Sequence, residues 1–295
     1  MPVHEPVMTD EVLKMLDPAR GGFFVDCTVG AGGHAHALLE GGADRVLGLD
    51  RDREVLTDAA ETLAPWRQRV ELVHADFRCL DDVLGARGIA TIDGALADLG
   101  MSSFQLNSEG RGFSFKRDEP LDMRMDRSTG RTAADVLRDA SETALADLIF
   151  RYGEDRYARR IARAVVRSRD RRPLTSTGQL AAVVRGAVPR RGRQRIDPAT
   201  RTFQALRIWV NRELEELDTF LLALSRRLRA GARLGIITFH SLEDRIVKYA
   251  FRGMERGSDA VVHVLTKRPL RASRDEVIRN PRARSAKLRA VERLD

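Results

Sequence analysis

Short apolar runs alternate with amphipathic segments along much of the chain, and this pattern predicts an α/β fold. Runs of strand length lie at residues 23–26, 46–49, 70–74, 92–97 and 234–239, with a weaker run at 260–266 and a final one at 286–291. Helical periodicity separates them, beginning with a short helix at residues 9–16. Alternating strands and helices indicate a parallel sheet with right-handed crossovers, which binds ligands outside the carboxyl ends of its strands.

The pattern changes after the fourth strand. A polar, glycine-containing section leads into helical segments predicted at residues 133–137, 142–152, 155–169 and 178–188. We interpret residues 107–199 as a helical insertion, so that residues 1–106 and 200–295 form one discontinuous sheet domain.

The region after the insertion returns to the sheet domain. Apolar residues at helical spacing predict one long amphipathic helix over residues 202–229, which Gly231 would end. Ser241, just after the fifth strand, is predicted to cap the following helix.

Composition narrows the class of protein. With 295 residues and 43% apolar content, the chain can bury a substantial core. Two cysteines are too few for a disulfide framework, and neither a signal peptide nor 18 consecutive apolar residues occur, so we expect a cytoplasmic protein without a membrane span. The six histidines form no HExxH motif, and no metal site is predicted.

Basic charge is concentrated in one region. Residues 151–201 contain 15 arginines, no lysine and four acids, a net charge of +11 against +8 for the whole chain. Five of these arginines recur on one face of a predicted helix: Arg156, Arg159, Arg160, Arg163 and Arg167. This density is typical of a surface that binds a nucleic-acid backbone, with a solvated helix face as the alternative. Phe113 and Phe115 could stack on bases or anchor the core.

A glycine turn after the first strand is the main candidate for a ligand site. The sequence FFVDCTVGAGGH at residues 23–34 places Gly30, Gly32 and Gly33 between a strand and a helix, where glycines allow positive φ and close approach of a ligand. The same spacing also fits the loose fingerprint of a dinucleotide-binding turn. An ordinary strand-to-helix loop without a ligand is a further alternative. Asp26 at the strand end would repel a pyrophosphate and favour a cationic ligand, so the turn favours S-adenosylmethionine over a nicotinamide cofactor.

Four predicted strands end in or beside an acid, at Asp26, Asp50, Asp76 and Asp98. An acid about 20 residues beyond such a turn typically holds ribose hydroxyls, and Asp50 has this position. Because all four strand ends meet at one edge of the sheet, the sequence predicts a strongly negative pocket that hydroxyls, amines and a cation would occupy.

Long sequence strings also match a known family. They are DCTVGAGGHA at residues 26–35, GLDRD at 48–52, DLGMSSFQL at 98–106, RGFSFKRDEPLDMRMD at 111–126, YGEDRYARRIARAV at 152–165, TRTFQALRIWVNRELEEL at 200–217, FHSLEDRIVK at 239–248 and NPRARSAKLR at 280–289. Over nearly its whole length the chain resembles the bacterial RsmH (MraW) methyltransferases, which methylate N4 of a decoding-centre cytidine in the 16S RNA of the small ribosomal subunit.

The resemblance implies a fold, a cofactor and a set of contacts. The fold would be the class I S-adenosylmethionine-dependent methyltransferase fold, Rossmann-like, with a mostly parallel seven-stranded sheet and an inserted helical domain for the RNA. Contacts to S-adenosylmethionine would come from Gly32, Gly33, His34, Asp50, Phe77, Asp98 and Gln105. The residues themselves indicate Asp50, Asp98 and the turn, but nothing in them argues for Gln105. The sequence leaves the oligomeric state open, a homodimer included.

The cytosine amine is a poor nucleophile, so an acceptor must hold one of its N–H groups during methyl transfer. Asp98 is the first candidate, and His240 the second unless it is a structural histidine. Methylation at C5 would require a cysteine nucleophile, and neither Cys27 nor Cys79 lies in such a setting. Amine or ribose-oxygen methylation remains, and only the resemblance selects N4. A nicotinamide oxidoreductase and a non-catalytic RNA-binding protein are the alternative functions.

Overall fold

The structure, a computed structural model, describes residues 6–189 and 196–295. The chain forms two compact units, one of Met1–Ser102 with Glu216–Asp295 and one of Ser103–Glu215. The predicted insertion, residues 107–199, lies inside the second unit, whose bounds extend further in both directions. No helix in the described part of the chain is long and apolar enough to cross a bilayer.

A seven-stranded sheet organises the first unit. Its strands are β1 Phe23–Asp26, β2 Arg45–Asp50, β3 Val70–His74, β4 Ile92–Asp98, β5 Leu228–Thr238, β6 Val262–Val264 and β7 Lys287–Arg293. The spatial order is β3-β2-β1-β4-β5-β7-β6. The first five strands are parallel, and β7 runs antiparallel to both β5 and β6. The expected class I methyltransferase fold, Rossmann-like with a mostly parallel seven-stranded sheet, is confirmed.

Helices cover the sheet and build the second unit. Those of the first unit are α1 Thr9–Leu16, α2 Gly33–Glu40, α3 Arg53–Thr62, α4 Leu80–Gly85, α11 Leu217–Arg227, α12 Ser241–Met254 and α13 Arg274–Arg279. Those of the second unit are α5 Ser103–Asn107, α6 Ala133–Asp139, α7 Glu142–Gly153, α8 Ala158–Arg169, α9 Thr177–Ala187 and α10 Ala199–Asn211.

Two apolar clusters pack on the two faces of the sheet. Side chains alternate along each strand, so Phe24 joins the cluster of α1, α2 and α3, while Val25 joins the cluster of α4, α11 and α12. Both residues are almost fully buried. Strands buried on both faces read as continuous apolar runs, which is why the sequence predicts their positions well.

The helices of the second unit begin at well-formed caps. Thr132 and Asp135 form a capping box at the start of α6, and Ser176 and Gln179 form another at the start of α9. Phe113 is buried, and the ring of Phe115 packs edge-to-face on Phe203 with centroids 4.9 Å apart. These contacts favour the core-anchor alternative for both phenylalanines.

The predicted long helix over residues 202–229 is wrong. The segment forms α10 and α11, separated by Arg212 and Glu216, whose φ angles of 53° and 56° lie in the left-handed region and cannot continue a right-handed helix. Apolar residues keep their helical spacing across the break, so periodicity alone does not reveal it. Gly231 also does not end a helix, because it lies within β5.

Candidate functional site

The segment that follows β1 ties three strand ends together. The Thr28 hydroxyl accepts a hydrogen bond from the Asp98 N–H at 2.6 Å, which joins it to the end of β4. The Gly30 N–H donates to Oδ2 of Asp50 at 2.9 Å, which joins the turn to the end of β2. The carboxylates at the ends of β1, β2 and β4 therefore surround a turn whose backbone is held in place.

Two of the three glycines in the turn have the left-handed backbone that the sequence suggests. Gly30 has φ of 52° and Gly32 has φ of 89°. Gly33 instead opens α2, and a Cβ there would lie 3.1 Å from the ring of Pro6. The first two glycines shape the turn, and the third makes room for the N-terminal segment.

Asp26 is fully buried at the end of β1. Its Oδ1 accepts a hydrogen bond from the Thr28 N–H at 3.1 Å, and its Oδ2 has no partner among the described residues. Burial raises the pKa of Asp26 from 3.8 to about 7, against the opposing effects of His34 and the Thr28 N–H. The site thus contains a buried carboxyl oxygen that is free to accept a hydrogen bond from a ligand.

His34 lies in the first turn of α2 and is only 5% exposed. Its Nε2 is 3.7 Å from Oδ2 of Asp98. Burial alone would lower the pKa of His34, but Asp98, with smaller contributions from Asp26 and Glu276, raises it above its ordinary value. Within the described residues, neither ring nitrogen of His34 nor Oδ1 of Asp98 has a hydrogen-bond partner. Unsatisfied polar atoms are costly to bury, so their gathering here indicates a ligand site.

Asp50 is held by the backbone around it. Its Oδ2 accepts from the Gly30 N–H and its Oδ1 from the Asp52 N–H, at 2.9 and 2.8 Å. Desolvation raises the pKa of Asp50 to about 6, although these two N–H groups act in the opposite direction. Each carboxylate oxygen keeps a second lone pair, so the group can still accept hydrogen bonds from hydroxyls.

The predicted pocket of four acids is wrong in one respect, because Asp76 is neutralised. Arg78 donates to both carboxylate oxygens of Asp76 at 2.8 and 2.9 Å, and Arg51 lies 3.5 Å away. Burial opposes the effect, but these arginines hold the pKa of Asp76 below its ordinary value. Phe77, the next residue, is half-buried and packs on Phe220 with ring centroids 4.6 Å apart. The negative charge therefore comes from the other three acids.

Sequence reasoning missed Thr28 and Glu276. Glu276, in α13, accepts a hydrogen bond from the Met8 N–H at 2.7 Å, and its charge contributes to the raised pKa of His34. Met8 has φ of 57° and is completely buried. No local pattern marks a glutamate that acts on a site so distant in sequence.

His240 and Gln105 are the other predicted residues. His240, not Ser241 as predicted, caps α12, because its Nδ1 accepts from the Glu243 N–H at 3.3 Å and its Nε2 is 3.1 Å from Glu243 Oε1. These contacts agree with the structural alternative for His240. Gln105 is buried in α5 of the second unit.

The predicted arginine face lies on and just before α8. Arg156, Arg159, Arg160, Arg163 and Arg167 are all exposed. Ile161 and Val165, on the opposite face of the helix, are fully buried. The helix therefore uses its apolar face for packing and leaves its basic face to solvent.

We expect Asp26→Asn to stabilise the ligand-free protein more at about pH 8 than at about pH 5.5. The pKa of Asp26 is raised in the folded state, so the protonated form is favoured there. Its contribution to the free energy of unfolding is fully present below pH 3.8 and is lost as the pH rises through about 7. At about 1.4 kcal/mol per pKa unit, the difference between the two pH values is about 2 kcal/mol. Denaturant unfolding of both proteins measures it, and an equal difference at the two pH values would contradict the assignment.

Comparison with known proteins gives a consistent family. A family model described as the MraW methylase family matches residues 1–294. A ribosomal RNA small subunit methyltransferase H from Geotalea uraniireducens is 48% identical over 307 residues, covering 99% of this chain and 98% of that protein. The protein of the same name from Syntrophotalea carbinolica is 50% identical over 307 residues, with the same coverage of 99% and 98%.

Proposed function

Because the chain belongs to the MraW methylase family, we propose that it transfers a methyl group from S-adenosylmethionine to the exocyclic N4 of a decoding-centre cytidine in 16S ribosomal RNA of the small subunit. The observation that carries this proposal is the set of buried polar atoms without partners on Asp26, His34 and Asp98, around the glycine turn. The family assignment removes the reasons to retain a nicotinamide oxidoreductase or a non-catalytic RNA-binding protein. We place the reaction in the cytoplasm, where small subunits are found.

The site has complementary groups for both charges of an amino-acid end. An ionised Asp26 can accept from an ammonium group, and the His34 ring, whose pKa is raised, can donate to a carboxylate. Gly32 and Gly33 leave the N-terminus of α2 without side chains, and backbone N–H groups there also favour a carboxylate. These features fit the methionine portion of S-adenosylmethionine.

The nucleoside portion needs hydroxyl acceptors and an apolar surface. We assign Asp50 to the ribose hydroxyls, because its carboxylate is fixed at a strand end and keeps lone pairs. Phe77 would contact the adenine, and Gln105 completes the proposed set. S-adenosylmethionine supplies an electrophilic methyl group on a sulfonium, so the task of the protein is to position the acceptor in line with it.

Asp98 is our candidate for the residue that handles the cytosine amine. Its Oδ1 has no partner within the described chain, and its backbone N–H is fixed by Thr28. A carboxylate there can accept one N–H of the amine as the nitrogen becomes tetrahedral and can take up the departing proton. The imidazole of His34 lies beside that carboxylate, with its Nε2 3.7 Å from Oδ2. The His240 ring already caps α12, so we assign it no proton transfer.

The cysteines support methylation at an amine over methylation at C5. A C5 mechanism needs a thiolate that adds to the pyrimidine ring. Burial, together with the nearby Asp26, raises the pKa of Cys27 well above its ordinary value, so a thiolate is strongly disfavoured there. Cys79 is an exposed residue at the end of a single 3₁₀ turn, outside the group of buried polar atoms.

The RNA would bind through the arginine face of the second unit. Replacing Arg156, Arg159, Arg160, Arg163 and Arg167 together is expected to weaken binding to small ribosomal subunits and to flatten its salt dependence, because fewer counterions are released. Affinity for S-adenosylmethionine should stay nearly unchanged. Filter binding over a range of salt concentrations measures the affinity for small subunits and its salt dependence. An unchanged affinity for subunits at low salt would remove the arginine face from the proposal.

The reaction itself is tested by label transfer. We expect methyl-labelled S-adenosylmethionine to label the RNA of small subunits that lack the modification, while subunits already modified take up none. Calorimetry should detect binding of S-adenosylmethionine and none of NAD. Binding of NAD alone, or absence of label in the RNA, would contradict the proposed function.

A further inference from the structure

We propose that a groove beside α8 binds consecutive phosphates of the RNA backbone, an inference that rests on the proposed RNA substrate and gives it a specific site. The groove has a volume of about 620 Å³ and lies between α8 and the C-terminal end of α9. Among the described residues, its charged lining consists of arginines: Arg160, Arg163, Arg167, Arg171 and Arg172. We call it the arginine groove. It includes two arginines beyond the predicted face and omits Arg156 and Arg159.

Most of these arginines have no polar side-chain partner within the described chain. Across the described residues, the side chains of Arg160, Arg167, Arg171 and Arg172 form no ion pair or hydrogen bond, and Arg163 reaches only Glu142 at 3.4 Å. By contrast, Arg169 on the same helix donates to the carbonyls of Leu137 and Ala140 at 2.5 and 2.6 Å. The groove therefore gathers charges that are available to a ligand, at the electrostatic cost of placing them side by side.

Helix stabilisation does not explain the cluster. Basic residues in the last turn of a helix interact favourably with its dipole, which accounts for the placement of Arg167 and Arg169. Arg160 and Arg163 lie in the first half of α8, where a positive charge gains nothing from the dipole. Their presence in the groove instead indicates an anionic partner.

The shape of the groove favours a chain of phosphates over a single one. A helix rises about 1.5 Å per residue, so Arg160, Arg163 and Arg167 extend over roughly 10 Å along α8, and Arg171 and Arg172 follow beyond its last residue, Arg169. A lone phosphate would be met by convergent donors, whereas a row of this length can follow a backbone with several phosphates. Each guanidinium offers paired N–H donors that match the oxygens of one phosphate. RNA backbone is therefore the ligand that the groove fits.

Small residues form the uncharged wall of the groove. Ala164 lies on α8, and Gly186 and Ala187 lie at the end of α9. A Cβ placed on Gly186 would meet no atom within 4 Å, so a larger side chain there would extend into the open groove without disturbing the packing. Gly186 thus offers a way to obstruct the groove while keeping every arginine.

The first test is Gly186→Leu, with Gly253→Leu on α12 as the matched control, since a Cβ on Gly253 also meets no atom within 4 Å. We expect Gly186→Leu to weaken binding to small ribosomal subunits about tenfold at low salt. Both variants should keep the wild-type melting temperature within a few degrees, because leucine is a better helix former than glycine. Equal affinities of the two variants for small subunits would contradict the proposal that the groove binds RNA.

The second test compares two double variants of equal charge. The double variant Arg160→Gln, Arg163→Gln should weaken subunit binding about tenfold. Its affinity should also depend less steeply on salt concentration, by the amount expected for the loss of about two phosphate contacts. The double variant Arg156→Gln, Arg159→Gln should have a clearly smaller effect on both. Equal effects would mean that general charge, not the groove, binds the RNA. Competition by inorganic triphosphate as strong as that by RNA would also overturn the proposal.

These outcomes are separable from failure of the proposed function. If methyl transfer is normal and Gly186→Leu does not change subunit binding, the groove proposal is wrong and the enzyme assignment stands. Groove-dependent RNA binding by a protein that transfers no methyl group would support the groove and contradict the assignment.

Discussion

Replacing Asp98 with asparagine is expected to lower kcat for methyl transfer by about 10²- to 10⁴-fold, the range typical for loss of a general base. The backbone N–H of residue 98 can still donate to the Thr28 hydroxyl, but the asparagine side chain cannot take up a proton from the cytosine amine. The affinity for S-adenosylmethionine should change less than about tenfold, because Asp26, His34 and Asp50 remain to hold the donor. Single-turnover kinetics and calorimetry measure the two effects separately.

Asp93→Asn is the matched control, since Asp93 lies on the same strand at its opposite end. Its carboxylate accepts from the Phe23 N–H at 2.7 Å and pairs with Arg229 at 3.0 Å, contacts that hold the sheet and do not reach the site. Its kcat should stay close to that of the wild type. A large loss of donor affinity with nearly normal kcat in Asp98→Asn would instead assign Asp98 to the donor.

The affinity for S-adenosylmethionine should rise with pH and level off above about pH 7, and Asp26→Asn should remove most of this dependence. The cationic donor binds the ionised carboxylate better, so below the pKa of Asp26 each pH unit changes the dissociation constant by up to about tenfold. Loss of the proton from His34, which is assigned to the carboxylate of the donor, acts in the opposite direction, and both proteins share this effect. The remaining acids at the site, Asp50 and Asp98, are shared by both proteins.

Calorimetry in two buffers with different protonation enthalpies tests this directly. Near pH 6 the wild type should release close to one proton on binding the donor, and Asp26→Asn should release clearly less. The variant should also bind the donor more weakly at about pH 8, where it is expected to be the more stable protein. Binding that is independent of pH in the wild type would show that Asp26 does not face the positive charge of the donor.

Much of the sheet domain could be predicted because its central strands, β1, β2, β4 and β5, are largely buried and therefore appear as apolar runs. The run at residues 23–26 coincides with β1, and the run at residues 70–74 coincides with the edge strand β3, which is only partly buried. Because these strands are parallel, the acids at or beside their ends lie along one edge of the sheet. The break between α10 and α11 could not be predicted, since Arg212 and Glu216 adopt left-handed φ angles that neither residue type favours. The tertiary structure imposes this break, and the apolar spacing continues through it.

The candidate site could be predicted only in part from the sequence, because it also depends on tertiary contacts. Asp26, Asp50 and the glycine turn are close in sequence and obey a known spacing. Whether a strand-end acid stays available depends on side chains elsewhere, and Arg78 removes Asp76 from the set. The link from Glu276 to the Met8 N–H joins residues near the two ends of the chain, and no sequence pattern encodes such a contact.

Nucleoside mass spectrometry of the methylated RNA tests the central claim most directly, because it identifies the donor, the RNA and the acceptor atom in one measurement. Small subunits that lack the modification would be incubated with the protein and isotopically labelled S-adenosylmethionine, and their RNA digested to nucleosides. We predict that the label appears in N4-methylcytidine and is absent when Asp98→Asn replaces the wild type at equal time. Label in 5-methylcytidine or in a ribose-methylated nucleoside would contradict the account.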